Sequence, residues 1–455
     1  MFDSRYRRAA AHAQRRPRSC RLELQGLEQR IVPSWMFDQP VPGAPAATTG
    51  PAAYVTPDGT ARVVYTDTNL NVDELYLTPD GQPWREDQLV QGAPAAASGP
   101  FGYVTPDGTA RVVYTDTARN VDELYLTPDG QPWREDTLVP GAPASNSYPF
   151  AYVTPDGTAR VVYADTAGNV DELYLVPRGT WQEDQLVQGA PAAASDPFGY
   201  VTPDGTARVV YTETNLNVDE LYLVPGGSWR EDQLVQGAPA AASDPFGYVT
   251  PDGTARVVYT DTNLNVDELY LTPDGQPWRE AQLVQGAPAA ASGPFGYVTF
   301  DGTARVVYTD TARNVDELYL TPDGQPWRED TLVPGAPASN SYPFAYVTPD
   351  GTARVVYTDT AGNIDELYLL PGGAPGMGGS GARPAVSEQL QAANDPSGAA
   401  NPSAAAADPA SFPVGAHAVA AMAHRMTLID HVWSDGSDAL LTGLWTDDLA
   451  WYAVR

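Results

Sequence analysis

The segment Ala61–Glu74, ARVVYTDTNLNVDE, recurs seven times, and that recurrence confines the chain to a small set of folds. Its leading arginine stands at Arg62, Arg111, Arg160, Arg208, Arg256, Arg305 and Arg354, and its closing glutamate at Glu74, Glu123, Glu172, Glu220, Glu268, Glu317 and Glu366. Each pair is separated by 12 residues, and successive copies by 48 or 49. A fixed period of this length marks a repeat architecture, in which one unit cannot bury its hydrophobic face alone. One copy, Phe101 to Ala144, reads as four strands: Phe101 to Thr105, Ala110 to Asp116, Asp122 to Thr127 and Trp133 to Val139. The turns Pro106-Asp107-Gly108 and Pro128-Asp129-Gly130 separate them. Proline fixes φ, aspartate bonds locally and glycine accepts a positive φ. Four strands on short hairpins, followed by a longer Gly-Ala-Pro link, describe one blade of a propeller and its crossing to the next.

The number of blades follows from the tryptophans. Six copies carry one on the expected fourth strand: Trp84, Trp133, Trp181, Trp229, Trp278 and Trp327. The seventh copy runs out after Leu370, but Trp35 precedes the first copy in a matching context, SWMFDQPVPGAPAA against WREDQLVQGAPAA. The N-terminus therefore supplies the missing strand, and a ring closed by both chain ends leaves no open sheet edge. The expected fold is all-β: a seven-bladed β-propeller of four-stranded antiparallel blades over residues 34–371, with Ser34 to Val41 pairing against Asp365 to Leu370. Copies one to three and five to seven repeat the turns NLN, ARN and AGN in the same order, 194 residues apart. This is the mark of a block duplication, so likeness between copies does not by itself show that each residue is needed.

Residues 1–33 form a basic leader, rich in arginine from Arg5 to Arg21 and without the ~7 to 15 apolar residues of a secretory signal. Leu22 to Ser34, LELQGLEQRIVPS, resembles the "LExR…PS" segment at the N-terminus of large repetitive planctomycete proteins, a resemblance that implies export or a cell-surface location. Residues 372–411 are a Gly/Ala/Pro/Ser linker expected to be disordered. In residues 412–455, Met422, Met426, Ile429 and Trp433 have helical spacing. His417, His424 and His431 recur every seven residues, about 10 Å apart on a helix and too far to share a metal.

Acidic residues outnumber basic ones 57 to 26, a formal charge of −31 that opposes a nucleic-acid partner. Cys20 stands alone, so no intramolecular disulfide forms. No apolar run approaches the ~18 residues of a transmembrane helix. The repeats contain no histidine, no cysteine and no phosphate-binding glycine loop, and their polar residues come in sevens. Catalysis calls for a singular constellation, so the expectation is a binding protein and not an enzyme, with no cofactor. The repeated arginine and glutamate admit two readings. One is an ion pair tying adjacent strands inside a ring whose faces are covered. The other is a sugar site, in which guanidinium donors and a carboxylate meet neighbouring hydroxyls and an aromatic face stacks on the pyranose. Strand register decides whether the two residues share a face. Asp67, Asn69, Asn71, Asp73 and Glu74 also space oxygens as calcium loops do, a lesser reading that copies two, three, six and seven break.

The motif RVVYTDTNLNVDELYL, with a following tryptophan strand and Gly-Ala-Pro link, resembles the repeat of the fucose-binding propeller lectins of fungi and bacteria. The resemblance spans Trp35 to Leu370. It implies multivalent binding of glycans, fucose or a similar neutral sugar, between blades. The seven arginines and seven glutamates would be the binding pairs, and Trp84, Trp133, Trp181, Trp229, Trp278, Trp327 and Trp35 the stacking faces, with Tyr76 and its counterparts as second candidates. A structural or protein-docking propeller without a small ligand is the alternative.

Overall fold

The strand Ala61–Thr66 pairs antiparallel with Ala52–Val55 on one side and Val72–Leu77 on the other, and Arg85–Gln88 completes the sheet. A computed structural model of the chain describes residues 35–371 other than 324, and this four-stranded unit occurs seven times in it. The expectations for residues 1–34 and 372–455 lie outside the described residues. The first strands of neighbouring blades touch around the whole circle, so each blade's first strand is innermost. The ring is the seven-bladed propeller expected.

Two turns set the hairpins. In the first, the Asp58 carboxylate accepts from the Thr56 hydroxyl at 2.6 Å and the Thr60 amide at 3.0 Å, and Gly59 takes φ +85°. In the second, Asp67 Oδ1 accepts from the amides of Asn69 and Asn71, both at 2.8 Å, and its Oδ2 from the Asn71 side chain. The second turn needs a left-handed residue. Leu70 occupies it at φ 65° and Arg119 at φ 69°, whereas Gly168 and Gly362 take it without the Cβ penalty.

The core lies between blades. One face of blade one, with Ala61, Val63, Tyr65 and Leu75, packs on Tyr346, Val356 and Ile364 of blade seven. Its other face, with Tyr54, Val64 and Val72, packs on Val112, Tyr114 and Leu124 of blade two. Both faces of every sheet are therefore covered, which is why the second and third strands read as near-continuous Val/Tyr/Leu runs instead of alternating. On the axis, Phe101, Phe150, Phe198, Phe246, Phe295 and Phe344 form a chain of rings with centroids 3.6–4.2 Å apart. Blade one carries Ala52 at that position, and Phe101 and Phe344 meet across the gap at 6.1 Å.

Closure occurs where the tryptophan pattern placed it. Met36–Asp38 pairs antiparallel with Ile364–Leu369, with Met36 opposite Tyr368 and Asp38 opposite Glu366. The strand is shorter than the expected Ser34 to Val41, as the fourth strand of every other blade spans only four residues, and Pro40 lacks the amide with which Leu89 bonds the Val72 carbonyl in blade one. The Ala47 amide bonds the Gly362 carbonyl at 2.8 Å, and the Thr358 hydroxyl bonds the Thr49 carbonyl at 2.8 Å, so blades one and seven are also joined directly. Deleting residues 1–39 removes Met36–Asp38 and Trp35. Three ladder pairs lost at about 1 kcal/mol each lower the stability by about 3 kcal/mol and expose Ile364–Leu369 as an edge. Chemical denaturation and light scattering read both effects, and an unchanged midpoint with a monomeric protein would show that closure is not held by this strand.

Candidate functional site

The register answers whether arginine and glutamate share a face. Arg62 lies opposite Tyr76 and Val64 opposite Glu74, so Arg62, Glu74 and Tyr76 project from the same side of the sheet, toward blade two. Arg62 Nη1 donates to both carboxylate oxygens of Glu74 at 2.7 Å. The same ion pair forms in all seven blades, at 2.6–2.8 Å. The glutamate side chains are buried, at 1–4 % exposure, and the arginines reach 11–12 %. Both bonds run from Nη1, so Nη2 is not engaged by the carboxylate.

The aromatic partner comes from the next blade. The Arg62 guanidinium lies 5.7 Å from the Trp133 ring. Arg111 meets Trp181, Arg160 meets Trp229, Arg208 meets Trp278, and Arg256 meets Trp327, all at 5.7–5.9 Å. Arg305 meets Trp35, and Arg354 meets Trp84 across the closing junction. Each tryptophan stands immediately before its fourth strand and not within it. Its indole donates to the preceding blade's glutamate: Trp181 to Glu123, Trp229 to Glu172, Trp278 to Glu220 and Trp35 to Glu317, at 3.1–3.2 Å. At the closing junction the Tyr346 hydroxyl donates to Glu366 at 3.4 Å. Tyr76 completes the set from its own blade, its ring 5.9 Å from the Arg62 guanidinium.

Burial pushes the Glu74 carboxyl above its ordinary value, against the pull of the Arg62 guanidinium and the Trp133 indole. Burial is the largest influence on the Arg62 guanidinium and works to lower it, but the charge and hydrogen bond of Glu74, with the nearby Tyr54 and Asp58, together outweigh it and raise the group. Each junction is thus a buried ion pair roofed by an indole. Of the oxygens spaced for calcium, the Asp67 carboxylate holds its own turn and the Glu74 carboxylate holds Arg62. No cluster of three or more metal-ligating side chains occurs among the described residues, and no helix there is long and apolar enough to cross a membrane.

The opposite face carries a carboxylate that sequence reading placed only in the calcium-like spacing. Asp73 lies directly across from Tyr65, buried at 2 % exposure, with Oδ2 unbonded. Burial, followed by the nearby charges of Asp67, Glu86 and Asp87, raises its carboxyl to about 7. Asp171, Asp219, Asp267 and Asp365 are likewise raised to about 7. Burial raises Asp316 only to about 6, because the Thr331 hydroxyl donates to it at 2.6 Å, and Asp122 behaves alike beside Thr137. The signal was a charged residue at an inward position of the alternation.

No protein-family model matches the sequence, and no curated protein matches it. Among solved structures, the chain is similar to the BP39L lectin from Burkholderia pseudomallei at a TM-score of 0.62 and 12% identity, covering 72% of this chain and 98% of that one. The polysaccharide lyase Uly1 gives 0.49 at 10% identity, covering 71% and 90%. The six-bladed Aleuria aurantia lectin gives 0.45 at 17% identity, covering 65% and 99%. The first shares the fold, and the other two are too distant to carry an argument.

The raised aspartates set a pH dependence. Between about pH 4 and pH 7 the folded ring keeps protons that the unfolded chain has released, so stability falls as pH rises through that window. The turn aspartates exemplified by Asp58 are lowered and act in the opposite sense below about pH 4. Melting followed by circular dichroism should give a higher Tm at about pH 5 than at about pH 8. A Tm that rises with pH across that range would contradict the assignment.

Proposed function

We propose that the ring is a multivalent carbohydrate-binding propeller, with its sites at the seven blade junctions and fucose or a similar neutral pyranose as the sugar. The observation that carries this reading is the composition of each junction: arginine and glutamate from one blade, 12 residues apart, and an aromatic ring from the next. The fold shared with a bacterial lectin supports it. So does the chemistry, because a guanidinium edge beside an indole offers donors to hydroxyls and a face to the apolar side of a sugar ring. Polar groups repeated in sevens suit binding and not catalysis. Export to the cell surface rests on the N-terminal resemblance, and fractionation tests it.

A second reading has its own observation. Glu74 accepts from Nη1 through both oxygens and is almost wholly buried. A carboxylate so engaged serves as an interblade clasp whether or not a ligand comes.

One site alone binds weakly, with a Kd of about 1 mM, because a monosaccharide makes few contacts and water competes for its hydroxyls. Several sites on a rigid ring raise avidity on a dense glycan surface by roughly 10² to 10⁴. Arg111→Ala should lower the calorimetric stoichiometry by one site of the seven and leave surface binding nearly intact. Replacing all seven arginines by alanine should abolish glycan-array binding. A parent ring that binds no glycan overturns the carbohydrate reading; a sevenfold variant that unfolds favours the clasp; one that folds and binds undiminished takes the sugar site away from the arginines.

A further inference from the structure

Beyond the triad, each junction differs at its outer edge. The residue after each tryptophan faces the tyrosine of the third strand: Arg85 lies opposite Tyr76, Arg134 opposite Tyr125, Arg230 opposite Tyr222, Arg279 opposite Tyr270 and Arg328 opposite Tyr319. By the two-residue alternation, Arg85 projects from the same face as Tyr76 and Arg62, one strand further out. These five arginines are exposed, and none enters an ion pair among the described residues. In blade three the position is Gln182, whose side-chain carbonyl accepts from the Tyr174 hydroxyl at 2.7 Å. That bond shows that a side chain here reaches the tyrosine of the site. In blade seven the position is Met36, opposite Tyr368.

The outward part of five junctions is therefore a tyrosine and a tryptophan with a guanidinium beside them. A guanidinium binds carboxylate or sulfate through paired N–H donors, more strongly than it binds a neutral hydroxyl. Resting on the carbohydrate-binding reading, we propose that these five junctions select acidic glycans, in which the neutral pyranose held at the triad adjoins a group that bears a carboxylate or a sulfate. The arginine after the tryptophan contacts that anion. The third and seventh junctions, with Gln182 and Met36, take neutral glycans. The local acidic neighbours of Arg85 are Asp80 in the preceding turn and Asp87 two residues along the same face, both exposed. The chain's charge of −31 opposes anions at a distance, but at physiological salt that field is screened within about 8 Å, so selection acts at contact.

The test is a glycan array printed with matched triplets: a neutral fucosylated glycan, its sialylated counterpart and its sulfated counterpart. The full chain is compared with a variant carrying Arg85→Gln, Arg134→Gln, Arg230→Gln, Arg279→Gln and Arg328→Gln. Glutamine is the residue blade three already holds there, so the fold accommodates it. The parent should prefer an acidic member of the triplet by roughly tenfold, and the variant should lose that preference while keeping its neutral binding. Preference for the sialylated member identifies a carboxylate as the anion, and preference for the sulfated member identifies a sulfate ester. Equal binding of neutral and acidic members by the parent, or an undiminished acidic preference in the variant, overturns this inference alone. Binding to no glycan overturns the carbohydrate reading and this inference with it.

Discussion

Every sheet in this ring buries both faces against its neighbours, and the placement of every other group follows from that. A single four-stranded blade has two apolar faces and no means of covering either, so stability belongs to the junctions and not to the blades. Seven junctions require a closed circle, and Met36–Asp38 against Ile364–Leu369 completes the seventh blade while the blade-one face packs on blade seven. Leaving one blade incomplete until the chain's two ends meet makes closure part of folding instead of an event after it.

Charge inside such layers is tolerated only where it is matched. Arg62 and Glu74 sit in a layer otherwise made of valine, leucine and tyrosine, and they are paired with each other and covered by an indole from the next blade. Breaking a buried pair from one side leaves an uncompensated charge, which is more costly than never having had the pair. The same set is therefore a constraint on the ring, whatever else it does. Asp73 and its counterparts show the opposite case: buried carboxyls with no cation, whose proton affinity burial raises.

The duplicated blocks make the exceptions informative. Ala52 breaks the series of inner phenylalanines, and Phe101 and Phe344 close over it. Gln182 and Met36 break the series of outer arginines. Thr137 and Thr331 take the place that Gln88 holds in blade one, and they alter the proton affinity of the aspartates beside them. Each exception changes one layer and leaves the ring intact, because away from the inner aromatic ring a blade packs chiefly on its two neighbours.

The fold was legible because its determinants are local and periodic. Pro-Asp-Gly turns, Val/Tyr runs and a constant Arg–Glu spacing each act within one hairpin, and their repetition multiplied a weak signal sevenfold. The displaced Trp35 even revealed closure, since a missing element at one end and a surplus at the other can be matched by eye. Tertiary structure alone decided which tryptophan meets which arginine. Trp84 follows Glu74 in the chain but lies over Arg354, and Arg62 meets Trp133. That pairing depends on how one sheet stacks on the next, an angle and offset set by the packing of whole faces, and no spacing within a single repeat contains it.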